Sequence, residues 1–194
     1  MITVDTAALA SLVDGTHSQP HAVLGPHTDA DGVTIRVLRP DATEVDVVVA
    51  GKNYPMDHEY SGVWVAELPV KAIPDYRLAV AYGGDKLPAD DPYRFLPTLG
   101  EVDQHLISEG RHEELWNVLG AHVHVYETPN GPVRGVAFAV WAPNAQGVRV
   151  VGDFNYWNGT ATPMRSLGSC GVWEVFVPEI GAGTRYKYEI IGRD

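Results

Sequence analysis

Basic residues are scarce. Fourteen Lys and Arg stand against twenty-five Asp and Glu, a formal charge of −11, and the cations are scattered along the chain. Phosphate binding needs clustered cations, so nucleic acid is excluded as a partner. Cysteine is almost missing. The single Cys170 rules out an internal disulfide framework and fits a reducing compartment. No apolar run approaches the roughly 20 residues needed to span a bilayer. The opening MITVDTAALASLVDG lacks a basic flank and carries Asp5 early, unlike a secretory signal. These absences lead to the expectation of a soluble cytoplasmic protein with no membrane partner.

The apolar fraction of 45% is that of a packed domain rather than a disordered one. Charge is uneven. Residues 1–105 carry 7 basic and 16 acidic groups, whereas 106–194 carry 7 and 9. The nearly neutral second part suits an uncharged ligand.

A helix is expected over Thr6–Val13, with Asp5 or Thr6 as cap and Gly15 as stop. A second is expected over His112–Leu119, ending at Gly120. Elsewhere the apolar period is two. Val33, Ile35 and Val37 alternate with Thr34 and Arg36, and Val45, Val47 and Val49 follow. Further runs are 63–68, 77–82, 136–141, 148–151, 173–177 and 186–191. Short strands separated by Gly, Pro, Asn and Asp indicate antiparallel sheets packed face to face.

The chain repeats itself. Leu24-Gly25 returns as Leu119-Gly120, the strand ending at Pro40 as the one ending at Pro143, and Val45 as Val148. Gly62–Trp64 returns as Gly171–Trp173, Pro69 as Pro178, and Tyr76-Arg77 as Tyr186-Lys187. The offset grows through 95, 103, 109 and 110, as small loop insertions would produce. The fold expected is therefore all-β. It has two tandem immunoglobulin-like sandwiches, residues 1–105 and 106–194, with short helices at the N-terminus and between them. At the last offset, the counterpart of the segment running to Asp90-Asp91-Pro92 falls past Asp194. The second module is expected to stop before its final strand, as the front part of a longer protein.

VVGDFNYWNG, Val150–Gly159, is the segment richest in chemistry. Trp157 and Tyr156 beside Asn155, in a turn after a strand, offer an apolar plate with polar edges. Sugars need that combination, since their C–H faces stack on rings while hydroxyls find partners. The same Trp157 suits a plug at the sandwich end. In YKYEI, Lys187 and Glu189 face away from Tyr186, Tyr188 and Ile190, so Lys187 is either a sugar-hydroxyl donor or a solubilising surface group. Trp64, Trp173 and Trp141 read as core. His122 and His124 share a strand face, but no other ligands accompany them, so no metal site is expected. No pattern asks for a cofactor. Cys170 has no neighbouring base to make it a nucleophile. Glycoside chemistry needs two carboxylates across a cleft, on a scaffold such as an eight-fold barrel of about 250 residues, so no catalytic site is expected.

The stretches FAVWAPNA, VVGDFNYWNG, GVWEVFVP and YKYEI together resemble a family 48 carbohydrate-binding module. The stretches HAVLGPH, RVLRP, DPYRFLPTLGEVD and EGRHEELWNVLGAH resemble the N-terminal module of bacterial 1,4-α-glucan branching enzymes. The resemblance implies a parent that transfers α-1,4 glucan segments to 6-hydroxyls in glycogen synthesis, using a C-terminal barrel. It implies two partners, α-1,4-glucan and that barrel within the same polypeptide. It also implies sugar contacts at Trp157 and Lys187, beside Tyr156 and Asn155. Two alternatives stand beside this one: purely structural modules docking on the barrel, or the front part of a debranching-type hydrolase.

Overall fold

The computed structural model describes residues 1–192. Helix α1 covers Thr6–Asp14. Asp5 caps it by accepting from the Ala7 N–H, and Gly15 closes it in a left-handed conformation, as the sequence leads one to expect. Strands β1 (Gly25–Thr28), β2 (Val33–Leu38), β3 (Glu44–Val49), β4 (Lys52–Pro55), β5 (Asp57–Tyr60), β6 (Val63–Leu68), β7 (Tyr76–Ala81) and β8 (Leu87–Ala89) follow. They form two antiparallel sheets, ordered β1-β2-β6-β5 and β4-β3-β7-β8.

Helix α2, Glu101–Ser108, opens the second half. After it come β9 (Gly120–Tyr126), β10 (Val133–Trp141), β11 (Ala145–Gly152), β12 (Arg165–Ser166), β13 (Val172–Pro178) and β14 (Tyr186–Gly192). These give sheets β12-β13-β10-β9 and β11-β14. The architecture is two immunoglobulin-like sandwiches. The helix expected over 112–119 is not there. Only a 3-10 turn, Leu115–Asn117, forms within it, because Gly120 at φ 93 turns the chain directly into β9. The helix between the modules is α2, eleven residues earlier, and it runs across residue 105, where the sequence divides the modules.

The duplication holds residue by residue. Val45, Val47 and Val49 pair with Val80, Leu78 and Tyr76, and Val148, Val150 and Gly152 pair with Ile190, Tyr188 and Tyr186 in the same register. Buried Val33, Val47, Met56 and Leu68 have buried counterparts in Val136, Val150, Met164 and Val177. Trp64 and Trp173 are both core. Their indole N–H groups donate to equivalent carbonyls, those of Arg39 at 3.2 Å and Ala142 at 3.0 Å. The helices belong to the repeat too. Offset by 95, α1 lies over α2, and His27 and His122 each donate to the carbonyl three residues back, Leu24 and Leu119.

The two sandwiches share buried ground. Leu9 and Leu12 of α1, with Leu24, Leu38 and Tyr93, join Val148, Val150 and Trp173 of the second sandwich in one apolar cluster. Polar ties cross the same junction: Arg149 Nη2 to the Val13 carbonyl (2.9 Å), Tyr93 hydroxyl to the Pro163 carbonyl (2.9 Å) and Gln19 Nε2 to the Ser166 carbonyl (2.7 Å). Backbone approaches backbone here. A Cβ on Gly147 would lie 1.8 Å from the Gly15 carbonyl oxygen, so no larger residue fits. Trp141 departs from the core reading. It ends β10 on the sheet's outer face, past the cover of Leu99 over Ala139 and Val172, and is exposed.

Candidate functional site

The chain leaves β11 at Gly152 and makes a 3-10 turn over Asp153–Asn155. Tyr156 and Trp157 then both adopt left-handed backbone, φ 53 and 62. For residues with a Cβ this costs about 1–3 kcal/mol each, and it persists only where the surroundings over-determine it. Asn155 supplies that constraint. Its Oδ1 accepts from the Gly152 N–H (2.9 Å), and its Nδ2 donates to the Val150 carbonyl (3.0 Å) and the Thr162 hydroxyl (2.8 Å). The Thr162 hydroxyl donates to the same Val150 carbonyl at 2.6 Å. Phe154 points inward, stacked 5.8 Å from Phe138. Asn155 is therefore the staple of the turn, with its amide engaged inside it.

The turn thrusts two rings outward. Tyr156 is 94% exposed and Trp157 44%, and Trp157 belongs to none of the buried clusters. This separates Trp157 from the plug reading, since the indoles filling the sandwiches are Trp64 and Trp173. The exposed indole is nonetheless fixed. Trp157 Nε1 donates to Asp153 Oδ1 at 3.1 Å, and Asp153 is gripped by Arg185, Nε to Oδ2 at 3.0 Å and Nη2 to Oδ1 at 3.2 Å. The Arg185 guanidinium also holds the Asp153 carboxyl below its ordinary pKa. Neither Asp153 nor Arg185 stood out in the sequence. The signal available was an acid four residues before Trp157 and a cation immediately before the Tyr-Lys-Tyr strand.

Lys187 sits in β14 directly opposite Val151 of β11, two residues after Arg185, and is exposed. Tyr186 and Tyr188 turn inward against the core as YKYEI leads one to expect, whereas Ile190, two residues on, is exposed. The structure thus brings Lys187 onto the strand pair whose end carries the Trp157 turn, and Asn155 beneath that turn. Tyr156 leans over a groove of 720 Å³ between the sandwiches, walled opposite by Arg39, Asp41 and Tyr82. In the first sandwich the equivalent link, from β3 to β4, is only Ala50-Gly51, with no ring to present.

The remaining candidates have local roles. His122 is tied to the Leu119 carbonyl, and His124 packs edge-on against Tyr126 at 4.5 Å; both are partly buried rather than exposed. Cys170 is buried beside Leu99 and Val172. Among the described residues no helix is long and apolar enough to cross a membrane.

Comparison with known proteins finds two family models, each matching one part of the chain. Residues 5–93 match the model of the N-terminal domain of alpha-1,4-glucan branching enzyme GlgB. Residues 118–194 match carbohydrate-binding module 48, the isoamylase N-terminal domain. The chain is 55% identical over 192 residues to a 1,4-alpha-glucan branching enzyme from Nocardia farcinica, covering 98% of this chain and 26% of that protein. It is 57% identical over 179 residues to the branching enzyme of Thermobifida fusca, covering 91% and 24%. The chain spans about a quarter of the length of these curated relatives. Among solved structures, a pullulanase from Paenibacillus barengoltzii aligns with TM-score 0.35 and 21% identity, over 48% of this chain and 17% of that one.

Proposed function

The chain belongs to the 1,4-α-glucan branching enzyme family, of which it carries the N-terminal domain and the carbohydrate-binding module, and on that premise we propose that the Trp157 turn holds an α-1,4-glucan weakly for chemistry done elsewhere in the parent polypeptide. Trp157 is the stacking plate, Tyr156 a second apolar surface, and Lys187 a donor to sugar hydroxyls. Asn155 positions the turn. The parent cuts α-1,4 glucan and transfers the segment to a 6-hydroxyl, in the cytoplasm. This chain, residues 1–105 as one module and 106–194 as the other, has no branching activity of its own.

One observation supports this reading above all: an exposed indole whose N–H is already fastened to a clamped carboxylate. A sugar face can settle on a ring that is fixed beforehand, so little side-chain freedom is lost on binding. A single open plate gives weak affinity, on the order of millimolar, or about −4 kcal/mol. Electrophoresis through a native gel containing glycogen tests it. The chain should be retarded relative to a glycogen-free gel, and Trp157→Ala should run unretarded while keeping its melting temperature. Equal retardation of both proteins would remove Trp157 from the site. Loss of folding on this substitution would favour a plug instead.

A structural role accounts better for the first sandwich. Its equivalent link is a two-residue hairpin turn with no ring to present. We assign it to docking on the catalytic barrel and supporting the second module.

A further inference from the structure

The turn that carries Trp157 also forms one wall of the 720 Å³ groove between the sandwiches, through Asn155, Tyr156 and Asn158. The first sandwich forms the other wall, through Arg39, Asp41 and Tyr82. The volume lies within the range of about 300–1,000 Å³ usual for small-molecule sites. Contacts at the junction, such as the Tyr93 hydroxyl to the Pro163 carbonyl at 2.9 Å, fix the two walls relative to each other before any ligand arrives.

The repeat shows which wall residues the fold does not require. Arg39 holds the Trp64 indole through its carbonyl, and Ala142 does the same for Trp173 with nothing beyond a Cβ. Tyr156 belongs to a link that Ala50-Gly51 makes in the first sandwich without a ring. Tyr82, just past β7, is 60% exposed. Its backbone is nonetheless pinned on both sides by the Thr43 hydroxyl, which donates to the Ala81 carbonyl (3.2 Å) and accepts from the Gly83 N–H (2.9 Å). Strain gathers here too. Of the five non-glycine residues that the described chain holds in left-handed backbone, Tyr156 (φ 53) and Glu179 (φ 68) both line this groove. Such conformations cluster at ligand clamps.

The side chains define an occupant. Two exposed phenol rings, one from each sandwich, offer apolar faces with polar tips. The Arg39 guanidinium is anchored by Nη2 to the Asp90 carbonyl at 2.9 Å, which engages one of its several donors. Exposed Asp41 and Glu179 accept from hydroxyls and repel an anion. A neutral polyhydroxyl chain meets all of these conditions. We propose that the glucan site crosses the junction: an α-1,4-glucan seated on Trp157 continues over Tyr156 into this groove, where Tyr82 and Arg39 take its further units. The first sandwich thus supports the second by completing its site. The inference rests on the glucan reading of the Trp157 turn and adds a second wall to it.

Titration of ¹⁵N-labelled protein with maltotriose and with maltoheptaose tests it. Both sugars should shift the Trp157 indole. Only maltoheptaose should also shift the Arg39 and Gly83 amides, with the same midpoint as Trp157, and it should bind several-fold more tightly than maltotriose. Tyr82→Ala should keep the Trp157 response to both sugars and lose the several-fold preference, whereas Tyr82→Phe, which retains the ring, should keep most of it. Arg39 and Gly83 amides that stay fixed in the wild-type protein while Trp157 responds to maltoheptaose would overturn the proposal and leave the Trp157 reading intact. An undiminished preference in Tyr82→Ala would overturn it as well. A Trp157 indole unmoved by either sugar would remove the glucan reading itself, and this inference with it.

Discussion

Trp157 and His21 show how much one residue's setting decides. Trp157 is open yet fixed, and the carboxylate that fixes it comes from its own turn. His21 is the reverse: both ring nitrogens are buried without partners, and its pKa is pushed down from 6.5 to about 3 by desolvation and then by the Arg165 charge. Folded, it stays neutral. The unfolded chain takes up a proton below pH 6.5 that the folded chain refuses until about pH 3. Stability from this group is therefore fully present above pH 6.5 and lost as pH falls, by about 1.4 kcal/mol per unit and roughly 2 kcal/mol at pH 5. Urea unfolding of wild type and His21→Gln between pH 7 and 5 checks this, and the variant should show the shallower decline. At this scale the sequence was partly legible. Trp157 and Lys187 stood out because a turn and a period-two strand dictate exposure. Trp141 is exposed despite a core-like sequence setting, because its strand alternates correctly but the apolar cover from residues 95–99 ends one pair short of it. Asn155 was legible as polar and not as a staple, because its partners Val150 and Thr162 meet it only in the folded turn.

The elements show where local signals suffice. α1 has a capping Asp5 and a terminating Gly15, and the structure uses both. The 112–119 segment has helical spacing but a Gly that turns the chain into β9, while α2 has few apolar residues to announce it and buries none fully. β1, β4, β5, β8 and β12 are not legible in the sequence, being short, polar or interrupted by Pro, and they exist by pairing with neighbours already in place. The Gly152–Asn158 turn is an element held by side chains. Asn155→Ala deletes three hydrogen bonds and leaves the Gly152 N–H unpaired inside it. Thermal unfolding should show a loss of about 1–3 kcal/mol. Glycogen retardation should vanish as well, because two left-handed residues relax once unconstrained.

As a whole, the molecule is one sandwich written twice and then given different tasks. The shared cluster through α1 and the Gly15–Gly147 approach join the copies into one buried mass. Calorimetry should show a single transition with calorimetric and van't Hoff enthalpies in agreement. Gly147→Ala, which places a methyl against the Gly15 carbonyl, should lower its midpoint and broaden or split it. The tandem fold was legible because the repeat was. The shared junction was not, since it joins residues some 135 positions apart, as Val13 and Arg149 are. Only the second copy carries a ring on its β11 turn, and the binding proposal stands on that difference. Titration of maltoheptaose into ¹⁵N-labelled protein measures it directly. The predicted result is millimolar, saturable shifts of the Trp157 indole and of the Tyr156 and Lys187 amides, with Trp64 and Trp173 unmoved. A Trp157 resonance that stays fixed at tens of millimolar sugar would contradict the account.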